Sequence, residues 1–166
     1  KSLLTWSDYF KNSLIVGIDI HKIDIVEKKL NRQNIEVHQG SQNDASFINR
    51  ITELYGKFDV IIDDGSHNYT DILNNFQNFF KRIKPGGFYI IEDFNHYRLL
   101  STYINDSPEN ALDIDEIFKY LLNKKYFKSD NLDKEFQDYC FNNISNITMH
   151  KGIQDSSYIA FIKKYN

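Results

Sequence analysis

Four carboxylates stand in two pairs at the ends of two apolar runs, Asp63 and Asp64 after FDVII and Glu92 and Asp93 after FYII. If those runs are neighbouring strands, their ends concentrate negative charge that a cation would offset, and hard divalent ions such as magnesium take oxygen ligands of this kind. Helix capping accounts for one or two of the acids, for instance with Asp64 or Ser66 capping a helix after His67; it does not easily account for all four. His67 follows Asp64 by three residues, within reach of a hydroxyl bound to the same ion. An imidazole with an unperturbed pKa of about 6.5 suits proton abstraction near neutral pH, so His67 is a candidate general base, the alternative being a surface or capping histidine. His21 and His96 have weaker cases, as pocket residues.

In an open α/β sheet, ligands bind beyond the carboxyl ends of the strands, so polar residues that follow other apolar runs deserve the same reading. Asp19, after LIVGI, is placed either to accept hydrogen bonds from the two hydroxyls of a ribose or to cap the next helix. Gly40 to Asp44 form a polar loop that either meets the edge of a purine or serves only turn and cap chemistry. The chain has no GxGxxG or Walker sequence, and Lys84 to Gly87 (KPGG) reads as helix termination and a tight turn.

The elements that must position these residues alternate. Leu14–Ile20, Ile35–His38, Phe58–Ile62 and Gly87–Ile91 are short β-branched runs of the type buried in parallel sheets. Between them, Ile23–Leu30, Ala45–Tyr55 and Tyr69–Ile83 have helical spacing, with Ile72, Phe76, Phe79, Phe80 and Ile83 on one face. Parallel neighbours need crossover connections, so the expected fold is α/β: a doubly wound, mostly parallel, Rossmann-like sheet. A further helix is expected from about Ile114 to Asn123. Ile144–His150 and Ser157–Lys163 are expected to pair as a C-terminal antiparallel hairpin at the sheet edge. Ser101–Leu112 and Lys128–Lys134 read as loops, and the first of them is long enough to act as a lid.

With 166 residues and 41% apolar composition, the chain is expected to form a single domain over 1–166. A net charge of -3, with no basic block, gives no general attraction to nucleic acid or an anionic membrane. Cys140 is the only cysteine, which excludes an internal disulfide and fits a reducing, cytoplasmic setting. No apolar run reaches the roughly 20 residues of a membrane span.

FDVIIDDGSH, a helix, and KRIKPGGFYIIED together resemble class I S-adenosylmethionine-dependent methyltransferases, and in particular the metal-dependent branch of macrolide-sugar O-methyltransferases and their cephalosporin-pathway relatives. SLLTWSDYFKNSLIVGIDIHK and HQGSQND extend the likeness, whose most specific piece is DDGSH followed by IED. The resemblance implies S-adenosylmethionine as cofactor and a hydroxyl of a sugar or glycosylated small molecule as acceptor. It implies Asp19, with Ile20 beside it, at the cofactor ribose, Ser41 and Gln42 by the adenine, and Asp63 bordering the methionyl end. It also implies Asp64 and Asp93 holding magnesium with Glu92 near it, and His67 as base. The family's first strand and Gly-rich turn are not found, so the domain is expected to be incomplete at its N-terminus. The other readings are a degenerate, non-catalytic binding module, a cephalosporin-hydroxylase-like relative, and a methyltransferase acting on nitrogen.

Overall fold

The structure, a computed structural model, describes residues 2–21 and 32–166; the helix expected over Ile23–Leu30 lies outside them. The chain folds as two compact units, 1–51 and 52–166. In the first unit, helix α1 (Ser2–Tyr9) precedes strands β1 (Ile15–Asp19) and β2 (Ile35–Gln39), and α2 (Ala45–Tyr55) begins there. The two strands are parallel, with Ile15 opposite Ile35 and Asp19 opposite Gln39. Gly17 lets α1 approach β1 closely, because a Cβ there would lie 2.8 Å from the Leu3 side chain. Ser7 Oγ donates to Asn34 Oδ1 at 2.7 Å and ties the helix to the turn before β2. Asp44 Oδ1 accepts from the amides of Ser46 and Phe47 and so caps α2, whose Phe47, Ile48 and Ile51 are buried.

The second unit contains β3 (Phe58–Asp63), α3 (Tyr69–Phe80), β4 (Ile83–Glu92), the one-turn α4 (His96–Leu99), α5 (Ile114–Leu122), α6 (Lys134–Asn143), β5 (Ile144–Lys151) and β6 (Tyr158–Lys164). Its sheet has the order β3-β4-β6-β5. β3 and β4 are parallel and joined through α3, as a crossover requires, whereas β6 runs antiparallel to both β4 and β5. The C-terminal hairpin is therefore present, and β5 forms an edge of the sheet.

The core lies between this sheet and helices α3, α5 and α6. Tyr69, Ile72, Leu73, Phe76 and Phe80 form the buried face of α3. Phe76 is fully buried and its ring meets those of Phe80, Tyr89, Phe118 and Phe136 at centroid distances of 5.1 to 6.1 Å. Asp133 caps α6, accepting from the Phe136 amide at 2.7 Å.

Two elements depart from the sequence reading. α3 ends at Phe80 and Ile83 already belongs to β4, paired opposite Phe58, so KPGG falls inside the strand next to a register shift between Phe58 and Val60. Gly86 has φ 76°, and a Cβ on Gly87 would come within 2.4 Å of the Asp59 carbonyl oxygen, which is why two glycines are needed in that irregular stretch. α6 was not anticipated. Its buried apolar positions, Phe136, Cys140 and Phe141, are interleaved with Gln, Asp and Asn and give a weak periodic signal.

Candidate functional site

The carboxyl ends of β3 and β4 lie side by side, with Asp63 registered opposite Ile91, and each strand end opens into the same short motif, D-x-x-H. After β3 this is Asp64 to His67; after β4 it is Asp93 to His96. In each, the imidazole Nε2 faces the Oδ1 of its own aspartate, at 3.6 Å for His67 and 3.3 Å for His96. The two imidazole side chains are only about a tenth exposed, while Asp64 is 53% exposed and Asp93 27%. The His67 and His96 rings meet edge to face at 5.3 Å, and Tyr103 packs against both, at 5.4 and 5.1 Å.

His67 and Asp93 both have left-handed backbones, φ 57° and φ 51°. For residues other than glycine this is a costly conformation, and such residues collect where a site demands a particular side-chain direction. Ser157 Oγ donates to Asp93 Oδ1 at 3.0 Å and helps hold it.

The electrostatics follow from this crowding. Burial pushes the Glu92 carboxyl up, and Asp64 and Asp93 push it further. Burial holds the His67 imidazole below its ordinary value of 6.5; His96 acts in the same direction, while Asp64, Asp93 and a hydrogen bond to the Glu92 main chain oppose it. Among the described residues, the ion pairs of Asp64 and Asp93 are with imidazoles, not with lysine or arginine. Acidic oxygens that repel one another without a Lys or Arg counter-charge are a donor set suited to a hard divalent cation.

Capping does not account for Asp64. The N-cap of α3 is Asn68, without a side-chain cap bond, and Ser66 Oγ instead donates to Asp71 Oδ2 at 2.5 Å. Asp63 differs from its neighbours. Its carboxyl is turned into the core, where Tyr89 Oη donates to Oδ2 at 2.8 Å and Asn75 Nδ2 reaches Oδ1 at 3.4 Å. Burial raises it to about 6, even though those hydrogen bonds act to lower it.

The structure thus brings Asp64, His67, Glu92 and Asp93 to one end of the β3–β4 pair and adds His96, Tyr103 and Ser157. The repeated D-x-x-H was available in the sequence and raises the standing of His96; nothing marked Tyr103 or Ser157. The loop over 101–112 is pinned to the start of α3, since Asp106 Oδ1 accepts from the Thr70 amide at 3.1 Å and the Leu112 carbonyl from Tyr69 Oη at 3.0 Å.

The other candidates belong to the first unit. Asp19 ends β1 exposed and accepts from the His21 amide at 2.8 Å, and Ile20 beside it is 62% exposed. Ser41 and Gln42, half-buried, open the loop after β2, where Ser41 Oγ accepts from the Asn43 amide at 3.1 Å.

A parallel β-α-β crossover with acidic and imidazole groups at its strand ends, continued by an antiparallel C-terminal hairpin, is a Rossmann-like α/β arrangement. Residues 3–94 match the methyltransferase domain family, and the chain belongs to it. Mycinamicin VI 2''-O-methyltransferase of Micromonospora griseorubida is 40% identical over 92 residues, 55% of this chain and 22% of that protein. Demethylmacrocin O-methyltransferase of Streptomyces fradiae is 38% identical over 92 residues, again 55% of this chain and 22% of the relative. The matched stretch therefore spans about a fifth of the length of these curated relatives. Among solved structures, the MycE methyltransferase of the mycinamycin biosynthetic pathway, in complex with Mg and SAH, superposes with a TM-score of 0.72 at 29% identity, covering 99% of this chain and 40% of that one. Among the described residues, no helix is long and apolar enough to cross a membrane.

Proposed function

We propose that this chain serves methyl transfer from S-adenosylmethionine to a hydroxyl of a sugar or glycosylated small molecule, with a divalent cation, magnesium, at the ends of β3 and β4. The observation that carries this reading is the gathering of Asp64, Glu92, Asp93 and His67 at adjacent strand ends with imidazoles as the only ion-pairing partners of Asp64 and Asp93 among the described residues. Its 38 to 40% identity with O-methyltransferases, among them one named for a rhamnosyl tetracenomycin, supports the acceptor class.

When bound, S-adenosylmethionine supplies an electrophilic methyl group and the cation supplies Lewis acidity toward the acceptor oxygen. The protein's own residues supply the rest. Asp64 and Asp93 would hold the cation, with Glu92 close by. His67, kept neutral chiefly by its burial, takes the acceptor's hydroxyl proton, and the hydrogen bond to the Glu92 main chain fixes the imidazole for that transfer. Alignment by a rigid strand-end site is itself worth several kcal/mol, about 7 to 11 in the best intramolecular cases. In the first unit, Asp19 and Ile20 would meet the ribose of the donor, and Ser41 and Gln42 its adenine.

The test is calorimetric titration with magnesium and with S-adenosylmethionine, together with methyl transfer to glycosylated acceptors. Asp64→Asn is expected to weaken magnesium binding and to abolish transfer. Unchanged magnesium affinity in that variant would remove the metal assignment, and no heat from S-adenosylmethionine under any condition would remove the methyl-donor reading.

A further inference from the structure

We infer that His67, Asp93 and His96 form a second mode of metal binding at this strand end, a two-imidazole, one-carboxylate site for zinc or a similar first-row transition ion. One ligand atom from each of the three lies within 4.8 Å of the others. The site is distinct in chemistry from an all-oxygen magnesium site: imidazole nitrogen suits zinc, nickel, copper and iron, whereas carboxylate and water suit magnesium.

One of the three ligand separations matches that of an ion-bridged pair better than that of a closed hydrogen bond. His96 Nε2 and Asp93 Oδ1 are 3.3 Å apart. A charge-assisted N–H···O bond closes to about 2.7 to 2.9 Å. Two ligands at about 2.0 to 2.1 Å from a tetrahedral zinc are separated by roughly 3.3 Å, the edge of the tetrahedron. Asp93 Oδ1 already accepts from Ser157, which orients a carboxylate as supporting hydrogen bonds orient metal ligands elsewhere.

His96 is the residue that makes the difference. It is buried, and the left-handed turn at Asp93 brings it to His67 with its Nε2 facing Asp93 Oδ1. Three protein ligands leave a fourth position open, the arrangement of exchangeable zinc sites. The ring of Tyr103 against both imidazoles keeps them together.

One consequence rests on the methyl-transfer reading. An imidazole that ligates zinc through its lone pair has none left to take a proton, so zinc bound here withdraws His67 from base duty and inhibits transfer, whereas magnesium on Asp64 and Asp93 leaves it free.

The binding claim is tested without any activity measurement. Zinc is titrated by calorimetry and cobalt(II) by the appearance of visible ligand-field bands, in the wild type, His96→Gln and Asp64→Asn. His96→Gln is expected to weaken zinc and cobalt binding at least about tenfold, the low end of what even a supporting residue of a metal site contributes, and to leave magnesium binding unchanged. Asp64→Asn is expected to do the reverse. Because His96 is buried, the wild type provides a check that needs no variant: with nitrogen-15 labelled histidine, zinc should move the imidazole resonances of His67 and His96, with the exposed His21 as control. Zinc that leaves the His96 resonances in place, or cobalt bound equally well by His96→Gln, overturns the inference. Failure of magnesium to bind while zinc binding depends on His96 would count against the magnesium assignment alone.

Discussion

Replacing Asp63 by asparagine is expected to stabilise the protein at neutral pH, increasingly so as the pH rises. Asp63 is buried and its carboxyl titrates at about 6 in the folded protein instead of at its ordinary 3.8. The folded state therefore holds a proton that the unfolded chain has released. The stability associated with this group is fully present below pH 3.8 and is lost as the pH rises through about 6. At about 1.36 kcal/mol for each tenfold change in proton affinity, the loss amounts to about 3 kcal/mol. Asparagine has the same shape and no proton to lose. Its carbonyl can accept from Tyr89 Oη, and its NH₂ can donate to Asn75 Oδ1, a buried oxygen that otherwise has no partner, once the Asn75 amide turns over. Urea unfolding of the wild type and Asp63→Asn at intervals from about pH 4 to 7.5 measures the difference directly, because every other titrating group cancels in the comparison. The variant's advantage should grow by about 2 kcal/mol across that range, the first part of the loss having occurred by pH 4. Parallel stability curves, or an advantage that shrinks as the pH rises, would refute the argument.

Other expectations concern packing and capping. Phe76→Ala, which empties the centre of the aromatic cluster formed with Phe80, Tyr89, Phe118 and Phe136, should cost about 3 to 5 kcal/mol in urea unfolding. Asp133→Ala removes the bond to the Phe136 amide at the start of α6 and should cost about 1 kcal/mol, read as a lowered thermal midpoint with no change in the ligand-binding heats.

Much of this arrangement could be read from residue order because the signals were local. The runs FDVII and LIVGI are apolar and β-branched enough to mark strands, although β1 and β3 are mostly half-buried or exposed rather than buried, and the helical spacing from Tyr69 to Phe80 has a single buried face. From parallel β3 and β4 it follows that Asp64 and Asp93 are close, although 29 positions separate them. Two things escaped. Ile83 was read as the last turn of a helix, since apolar periodicity does not distinguish that from the first residue of a strand; its pairing with Phe58 decides the matter. The inward turn of the Asp63 side chain depends on Tyr89 and Asn75, residues 26 and 12 positions away, whose polar atoms carry no signature in the sequence. Asp63 and Asp64 look alike as letters, yet one is in the core and the other faces water.

The left-handed backbones of His67 and Asp93 bear on how this protein would respond to laboratory evolution. Each holds an L side chain in a left-handed conformation that His and Asp tolerate better than most residues but that glycine adopts without steric cost. Selection for thermal resistance alone would accordingly favour Gly at these two positions, and on the proposed reading of the site the hardier descendants would be the ones to lose their chemistry first. On that reading, a campaign to toughen this fold has to hold positions 67 and 93 fixed and seek its gains elsewhere.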